Sequence, residues 1–224
     1  MYTGFLKRTV DLLISLSAII ILFPILIPII LILILTGEHQ VFYLQKRVGY
    51  KNSEFKIFKF ATMLKNSVNM ATGSLTIRND PRILPMGKFL RKTKINELPQ
   101  FINVVKGDMS VVGPRPQMKI DFLKYPKSVQ EKLYNIKPGI TCVQQLIFRD
   151  EEKWISECNG DKHEFYKSHI APYKGELEIW YQNNLSAITD LKIIFLTCWV
   201  ILFSNSNLPY KLLNDLPNKP KTLT

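Results

Sequence analysis

The sequence predicts an α/β protein, mostly helical, with a re-entrant N-terminal membrane helix-hairpin and one small cytoplasmic α/β domain lying on the membrane. Three observations predict it. Between Ala18 and Leu35 no residue is polar, a run long enough to enter a bilayer. Basic residues flank that run on both sides, Lys7 and Arg8 before it and Lys46, Arg47, Lys51, Lys56 and Lys59 after it. Beyond it, short β-like patterns interleave with helical ones, in a chain of 224 residues that suits one domain with its own core.

The expected organisation is a re-entrant segment over residues 1–40, a domain over 41–205 and a polar tail over 206–224. A secretory signal fits the apolar run poorly, because no small-x-small cleavage site follows and the run continues into Thr36-Gly37-Glu38. A core helix apolar on every face needs a much larger protein around it. Pro24 and Pro28 each remove a backbone donor mid-run, so a sharp break with locally satisfied carbonyls is expected there. Basic flanks at both ends favour two cytoplasmic ends, hence a hairpin over a single span.

Val41 to Met63 is aromatic and β-branched, and its FKIFKF alternates apolar and basic, a strand pattern whose lysines read individually as a solvated face. NSVNMATGSLTIRND is a polar loop, and MGKFLRK a short basic amphipathic helix. NELPQFINVV sets Leu98, Phe101, Ile102 and Val105 at helical spacing, with Asn96 as its cap. Gly107-Asp108 ends that helix, MSVV is a short strand and GPRP a rigid turn. Residues 119–135 read as helical, KPGIT as a turn and strand, and ELEIWYQNN and DLKIIFLTCWVILF as helices. The last has an apolar patch too short to cross a bilayer and suited to its surface. The proline-containing end is expected to be loosely ordered.

Thirty Lys and Arg against 18 Asp and Glu give a net charge of +12, which favours an anionic partner: a phosphorylated substrate, an acidic membrane surface or nucleic acid. Nucleic acid is set aside, because no recognition motif accompanies the charge. Cys142, Cys158 and Cys198 offer no disulfide framework and no CxxC pair, and His39, His163 and His169 form no zinc signature.

Two stretches can carry chemistry. Asn96 and Glu97 have an ordinary reading as helix cap and first-turn acid. A helix N-terminus also attracts phosphate, and Arg82, Arg91, Lys92 and Lys94 cluster before it. In GDMSVVGPRP, Arg115 is held between Pro114 and Pro116, which aims one guanidinium. It suits either a structural salt bridge or bidentate binding of phosphate.

These stretches, in this order, resemble the bacterial sugar transferase family, the monotopic polyprenyl-phosphate phosphoglycosyl transferases. The resemblance runs through KRTVD (Lys7 to Asp11), QKRVG (Gln45 to Gly49), FKIFKFATM (Phe55 to Met63), NDPRI (Asn79 to Ile83) and the long block from Gly87 to Pro116. KPGIT and DLKIIFLT close it. It implies transfer of a sugar 1-phosphate from a UDP-sugar to a polyprenyl phosphate such as undecaprenyl phosphate. UMP is released at the cytoplasmic face of the inner membrane, starting exopolysaccharide, capsule or O-antigen synthesis. It also implies Mg2+ supported by Glu97, Arg115, Arg91, Arg82 and Lys59 as substrate-phosphate ligands, contact with membrane lipids, and a homodimer as a possible assembly.

The family works through an adjacent Asp-Glu pair whose Asp attacks the β-phosphorus. Here Asn96 stands in the Asp position beside Glu97. An amide has no anionic oxygen, so the covalent route is closed to residue 96 as written. Ala61, Cys142 and Glu178 are further departures, where the pattern has a basic residue, a glycine and an Asp. Two readings follow: an active transferase using another nucleophile or direct attack, or an impaired relative that binds nucleotide-sugar or polyprenyl phosphate, or scaffolds glycan assembly.

Overall fold

The computed structural model describes residues 2, 4–70, 76–77, 79–148, 151–158, 160–203 and 206–220. The expected polar loop lies in part outside them, at 71–75 and 78. Helix α1 (Phe5–Leu35) opens the chain. Strands β1 (Phe42–Val48) and β2 (Glu54–Phe60) pair antiparallel, Phe42 opposite Phe60 and Val48 opposite Glu54. Helix α2 (Pro85–Lys92), a 3₁₀ turn (Ile95–Glu97) and α3 (Gln100–Lys106) lead to β3 (Ser110–Val112). Two single-turn helices follow, α4 (Lys119–Phe122) and α5 (Lys127–Gln130). Strand β4 (Gly139–Thr141) then pairs parallel with β3, Ser110 opposite Gly139 and Val112 opposite Thr141. Helices α6 (Val143–Ile147), α7 (Glu151–Glu157) and α8 (Lys162–Phe165) come next. A π turn (Tyr166–Ile170) carries α8 into α9 (Ala171–Asn183), followed by α10 (Ala187–Leu202) and α11 (Leu208–Leu212).

The main core is built by β2, α3, β3 and the α6 to α10 region around Ile57, Val104, Met109, Leu177, Ile193 and Leu196. The protein is mostly helical with two small strand pairs, as expected.

Helix α1 differs from expectation. Pro24 and Pro28 lie inside it without ending it, because each ring deletes only its own amide and the turns on either side stay bonded. At 31 residues it is about 46 Å along its path. Its two ends dock on the same body. Near the start, Asp11 accepts from Ser110 Oγ (2.7 Å) and from the Val111 amide (3.1 Å). Lys7 Nζ meets Asp190 Oδ2 at 2.6 Å, and Arg8 donates to the Val104 and Val105 carbonyls at the end of α3. Near the other end, Ile29 and Leu33 pack with Phe60 of β2 and Leu90 of α2. Between these anchors Leu16, Ile20, Ile21, Phe23, Ile25 and Ile27 are exposed.

Two further expectations need correction. Asn96 caps no helix: it lies within the 3₁₀ turn, and α3 begins at Gln100 with no side-chain cap. Pro99 has no amide to bond the Ile95 carbonyl, so Leu98 takes that carbonyl instead at 3.1 Å, and the α-helix restarts beyond the ring. The described part of the tail is docked rather than loose. Leu213 is buried, Tyr173 OH donates to the Pro217 carbonyl at 2.9 Å, and Lys219 sits 4.6 Å over the Trp154 ring. The leucines at 208, 212 and 216 pack on the core, and burying that apolar area outweighs the tail's polar composition.

Candidate active site

The 3₁₀ turn, β2, the GPRP turn and the β4–α6 junction converge on a cavity of about 900 Å³. Its position depends on two glycines. A side chain on Gly113 would collide with the Lys137 carbonyl, and one on Gly139 with the backbone of Gly113. Bare backbones therefore close the β3–β4 pair, and Gly139 N–H reaches the Pro114 carbonyl at 2.9 Å.

Arg115 leaves this pair clamped on both sides. Its amide donates to Glu178 Oε1 (3.2 Å), and its carbonyl accepts from Tyr134 OH (2.8 Å). Tyr134 OH in turn accepts from the Gln117 amide at 2.9 Å. With the backbone fixed, the guanidinium reaches Glu97, Nη2 to Oε1 at 3.5 Å.

Lys59 Nζ reaches the same oxygen at 3.5 Å, and Glu97 is only 8% exposed. Burial pushes the Glu97 carboxyl up, but the charges of Lys59, Arg115 and Lys94 outweigh it and hold the acid far below the usual carboxylate range. Burial pulls the Lys59 amine down to about 7, against the Glu97 charge that raises it. The Gln145 amide lies between Glu97 and Arg115. In one orientation its nitrogen donates to Glu97 Oε2 at 3.3 Å. In the other its oxygen accepts from Arg115 and its nitrogen donates to the Ile140 carbonyl at 3.3 Å. The second satisfies both amide atoms and is the better assignment.

Asn96 is 6% exposed and lines the same cavity. Among the described residues its Oδ1 has no hydrogen-bond partner. A buried acceptor left unpaired costs about 1–3 kcal/mol, so a water, ion or ligand atom bonded there would be stabilising.

The expected site residues separate into two groups. Lys59 and Arg115 meet on Glu97, and Asn96 and Arg91 line the same cavity. Arg82 also borders the cavity but is 2% exposed, its fork spent on Asp80 (Nε to Oδ1 2.8 Å, Nη2 to Oδ2 2.6 Å) and on the Ser67 and Met70 carbonyls. It organises the preceding loop. Glu178 and Cys142 are neighbours behind Arg115, both nearly inaccessible. Burial raises the Glu178 carboxyl to about 8 and pushes the Cys142 thiol well up. Ala61 is buried in the cavity wall.

Sequence reasoning missed Gln145 and Arg47. Arg47 donates to Gln45 Oε1 and, at 3.2 Å, to the Pro116 carbonyl, bracing the far side of the GPRP turn. One signal for the inward turn of Lys59 was available. Lys56 and Lys59 are three residues apart on a strand and so face opposite sides. Lys59 shares its face with buried Ile57, while Lys56 is exposed.

No three His, Cys, Asp or Glu side chains among the described residues converge as a metal cluster. Asp80, Asp121 and Glu151 also line the cavity, but Asp80 is held by Arg82, Asp121 by Lys124 and Glu151 by Lys174. The Glu97 carboxylate and the orphaned Asn96 carbonyl, adjacent in sequence, suit an ion that draws its remaining ligands from phosphates and water.

Comparison with known proteins bears on this arrangement. The family model described as bacterial sugar transferase matches residues 2–204. The UDP-galactose-lipid carrier transferase of Erwinia amylovora is 34% identical over 88% of this chain and 40% of its own length. The UDP-N-acetylgalactosamine-undecaprenyl-phosphate N-acetylgalactosaminephosphotransferase of Aeromonas hydrophila is 32% identical over 89% of this chain and 44% of its own. The exopolysaccharide production protein ExoY of Sinorhizobium fredii is 28% identical over 91% of this chain and 88% of its own. The chain thus spans less than half of the first two relatives and most of the third.

Proposed function

The chain belongs to the bacterial sugar transferase family, and we propose that it transfers a sugar 1-phosphate from a UDP-sugar to a polyprenyl phosphate at the cytoplasmic face of the membrane, as a step in building a lipid-linked glycan. The observation that carries this is the convergence of Lys59 and Arg115 on Glu97 at 3.5 Å each, in a cavity that the unpartnered oxygen of Asn96 also lines. An aimed guanidinium, an amine that is charged below about pH 7 and an acid held far below the usual carboxylate range suit a diphosphate with a hard cation.

Arg115 and Lys59 would grip the diphosphate oxygens, with Arg91 along the same wall. Glu97 and Asn96 would hold Mg2+, which supplies neutralisation of the diphosphate and of the departing UMP. Residue 96 being an amide, the route open to these residues is single displacement. An oxygen of the polyprenyl phosphate attacks the β-phosphorus, and the bond from that phosphorus to the bridging oxygen breaks. UMP leaves with the electron pair, and the polyprenyl diphospho-sugar remains. Arg115, fixed by its backbone clamp, would steady the charge gathering on the phosphoryl oxygens.

A re-entrant topology is part of the same reading. Its support is that both ends of α1 dock on one body while the apolar middle stands exposed. A straight span would pull one of the two ends away. Prolines 24 and 28 deprive the Ile20 and Pro24 carbonyls of their helical donors, which eases bending there.

The test is UMP release from a panel of UDP-sugars with undecaprenyl phosphate and Mg2+. Release with one donor is expected. Silence with every donor, with tight binding of the same ligands, would favour the second reading, a binding or scaffold protein, for which the amide at 96 is the specific observation.

A further inference from the structure

A smaller cavity of about 150 Å³ lies between the first turns of α1 and α10. Val10 and Ile14 line one side, Ala187, Leu191 and Ile194 the other, and Val111 and Val112 of β3 the base. Both helices pack on β3, which holds them apart as the walls of a slot. Its far end is closed by the bonds of Tyr2 OH (2.9 Å) and Lys7 (2.6 Å) to Asp190. At its near end Ile14, Val111 and Ile194 line both the slot and the large cavity, so these three side chains stand between the two. The apolar wall therefore continues from the cation-lined site into the slot. Beside it, Leu13, Leu16 and Phe195 are exposed, as is part of the slot-lining Leu191, so the slot runs next to an apolar surface.

We propose that this slot seats the hydrocarbon chain of the acceptor, with its phosphate placed at Lys59 and Arg115. This rests on the reading of the site as a phosphoglycosyl transferase centre. The shape and chemistry favour one occupant. A cationic cavity set against a narrow, mainly apolar slot across three shared apolar side chains fits an anionic head on a slender tail. The slot is too small for a partner helix, whose diameter with side chains is about 10–12 Å, and its polar groups, Tyr2, Asp11 and Asp190, are gathered at the closed end, where Lys7 pairs with both acids. Burying the first isoprene units against Ile14, Val111 and Ile194 fixes the head at the site, and the rest of the tail passes to lipid over Leu16 and Phe195. The UDP-sugar occupies the polar remainder, so donor and acceptor are held together as single displacement requires.

The test uses the full chain in nanodiscs and undecaprenyl phosphate carrying a diazirine on its first isoprene units. Photolysis is expected to give adducts within residues 10–16 of α1 and 187–201 of α10. Ile194→Trp, which fills the slot, should lower their yield at least fivefold and raise KM for undecaprenyl phosphate about tenfold. Retained binding of UDP-sugar reports that the variant is folded. Ile194→Ala, which widens the slot, should cross-link at least as well as wild type. Adducts confined to residues 20–27, or a yield that Ile194→Trp leaves unchanged, would overturn the proposal. So would equal loss in both variants. The adduct map needs no turnover, so a wild type that releases no UMP yet labels at the slot would defeat the proposed reaction and not the lipid seat.

Discussion

Replacing Glu97 by Gln removes the one charge that holds two cations together. Its Oε1 lies 3.5 Å from Lys59 Nζ and from Arg115 Nη2. At an effective dielectric of 20, each such contact is about 5 kcal/mol of gross attraction. Most of that is cancelled by desolvation, and removing one partner from a buried pair costs about 3–5 kcal/mol. The Arg115 side chain keeps 28% exposure, which moves the expected loss toward about 3 kcal/mol, the low end of that range.

The pH dependence makes this specific. The Glu97 carboxyl is held below its unfolded value, so its contribution is in place above about pH 4.5 and is lost as pH falls through the folded value. Lys59 titrates near 7 in the folded protein, so its half of the attraction fades as pH rises through 7. The difference between wild type and Glu97→Gln should therefore be greatest between about pH 5 and 6.5, and smaller by about half at pH 8.5. Urea unfolding in detergent, followed by tryptophan fluorescence at pH 5.5, 6.5 and 8.5, measures it. A difference that does not vary with pH, or one under about 0.5 kcal/mol as for an ordinary surface change, would refute the pairing.

Arg115→Ala should weaken UDP-sugar binding by about 1.5–3 kcal/mol, the range for hydrogen bonds to charged groups, measured by calorimetry; unchanged affinity would leave Arg115 a purely structural role. Asn96→Asp should raise UMP release and yield a hydroxylamine-sensitive phospho-enzyme, because a carboxylate at this position is both nucleophile and metal ligand. Rapid-quench trapping decides, and no adduct with unchanged rate would count against that role. Asp11→Ala strips the acceptor from the buried Val111 amide and should cost about 1–3 kcal/mol, read as faster proteolysis after Arg8. Cysteines placed at Gly4 and Gln40 should be labelled from the same side of sealed vesicles; opposite sides would restore a spanning helix.

What was legible in the sequence follows from how local its physics is. The strand pattern between Val41 and Met63 and the strand in MSVV depend on alternation readable within ten residues, but the pairing of β1 with β2 was not read, because it needs the turn between them. The cap assigned to Asn96 failed because one missing amide at Pro99 outranks a side-chain preference. The docking of the tail and the roles of Gln145 and Arg47 depend on contacts far apart in sequence: Arg47 reaches Pro116 across 69 positions. No local pattern encodes those. The unbroken α1 was hidden for the opposite reason, since proline marks a weakened turn but does not say whether the surrounding bonds survive it.

The clamp at the start of α1 has a consequence for how the protein is made. Lys7 and Asp190 are 183 residues apart, so this bond waits for almost the last helix, although Arg8 and Asp11 find their partners at residues 104–111. At about 5–20 residues per second, that interval is roughly 10 to 40 s of synthesis. The apolar helix therefore meets lipid long before its partner leaves the ribosome. If α1 inserts as proposed, insertion comes first and this last lock second, and a chain stalled short of α10 would hold α1 through Arg8 and Asp11 with Lys7 facing Asp11 alone.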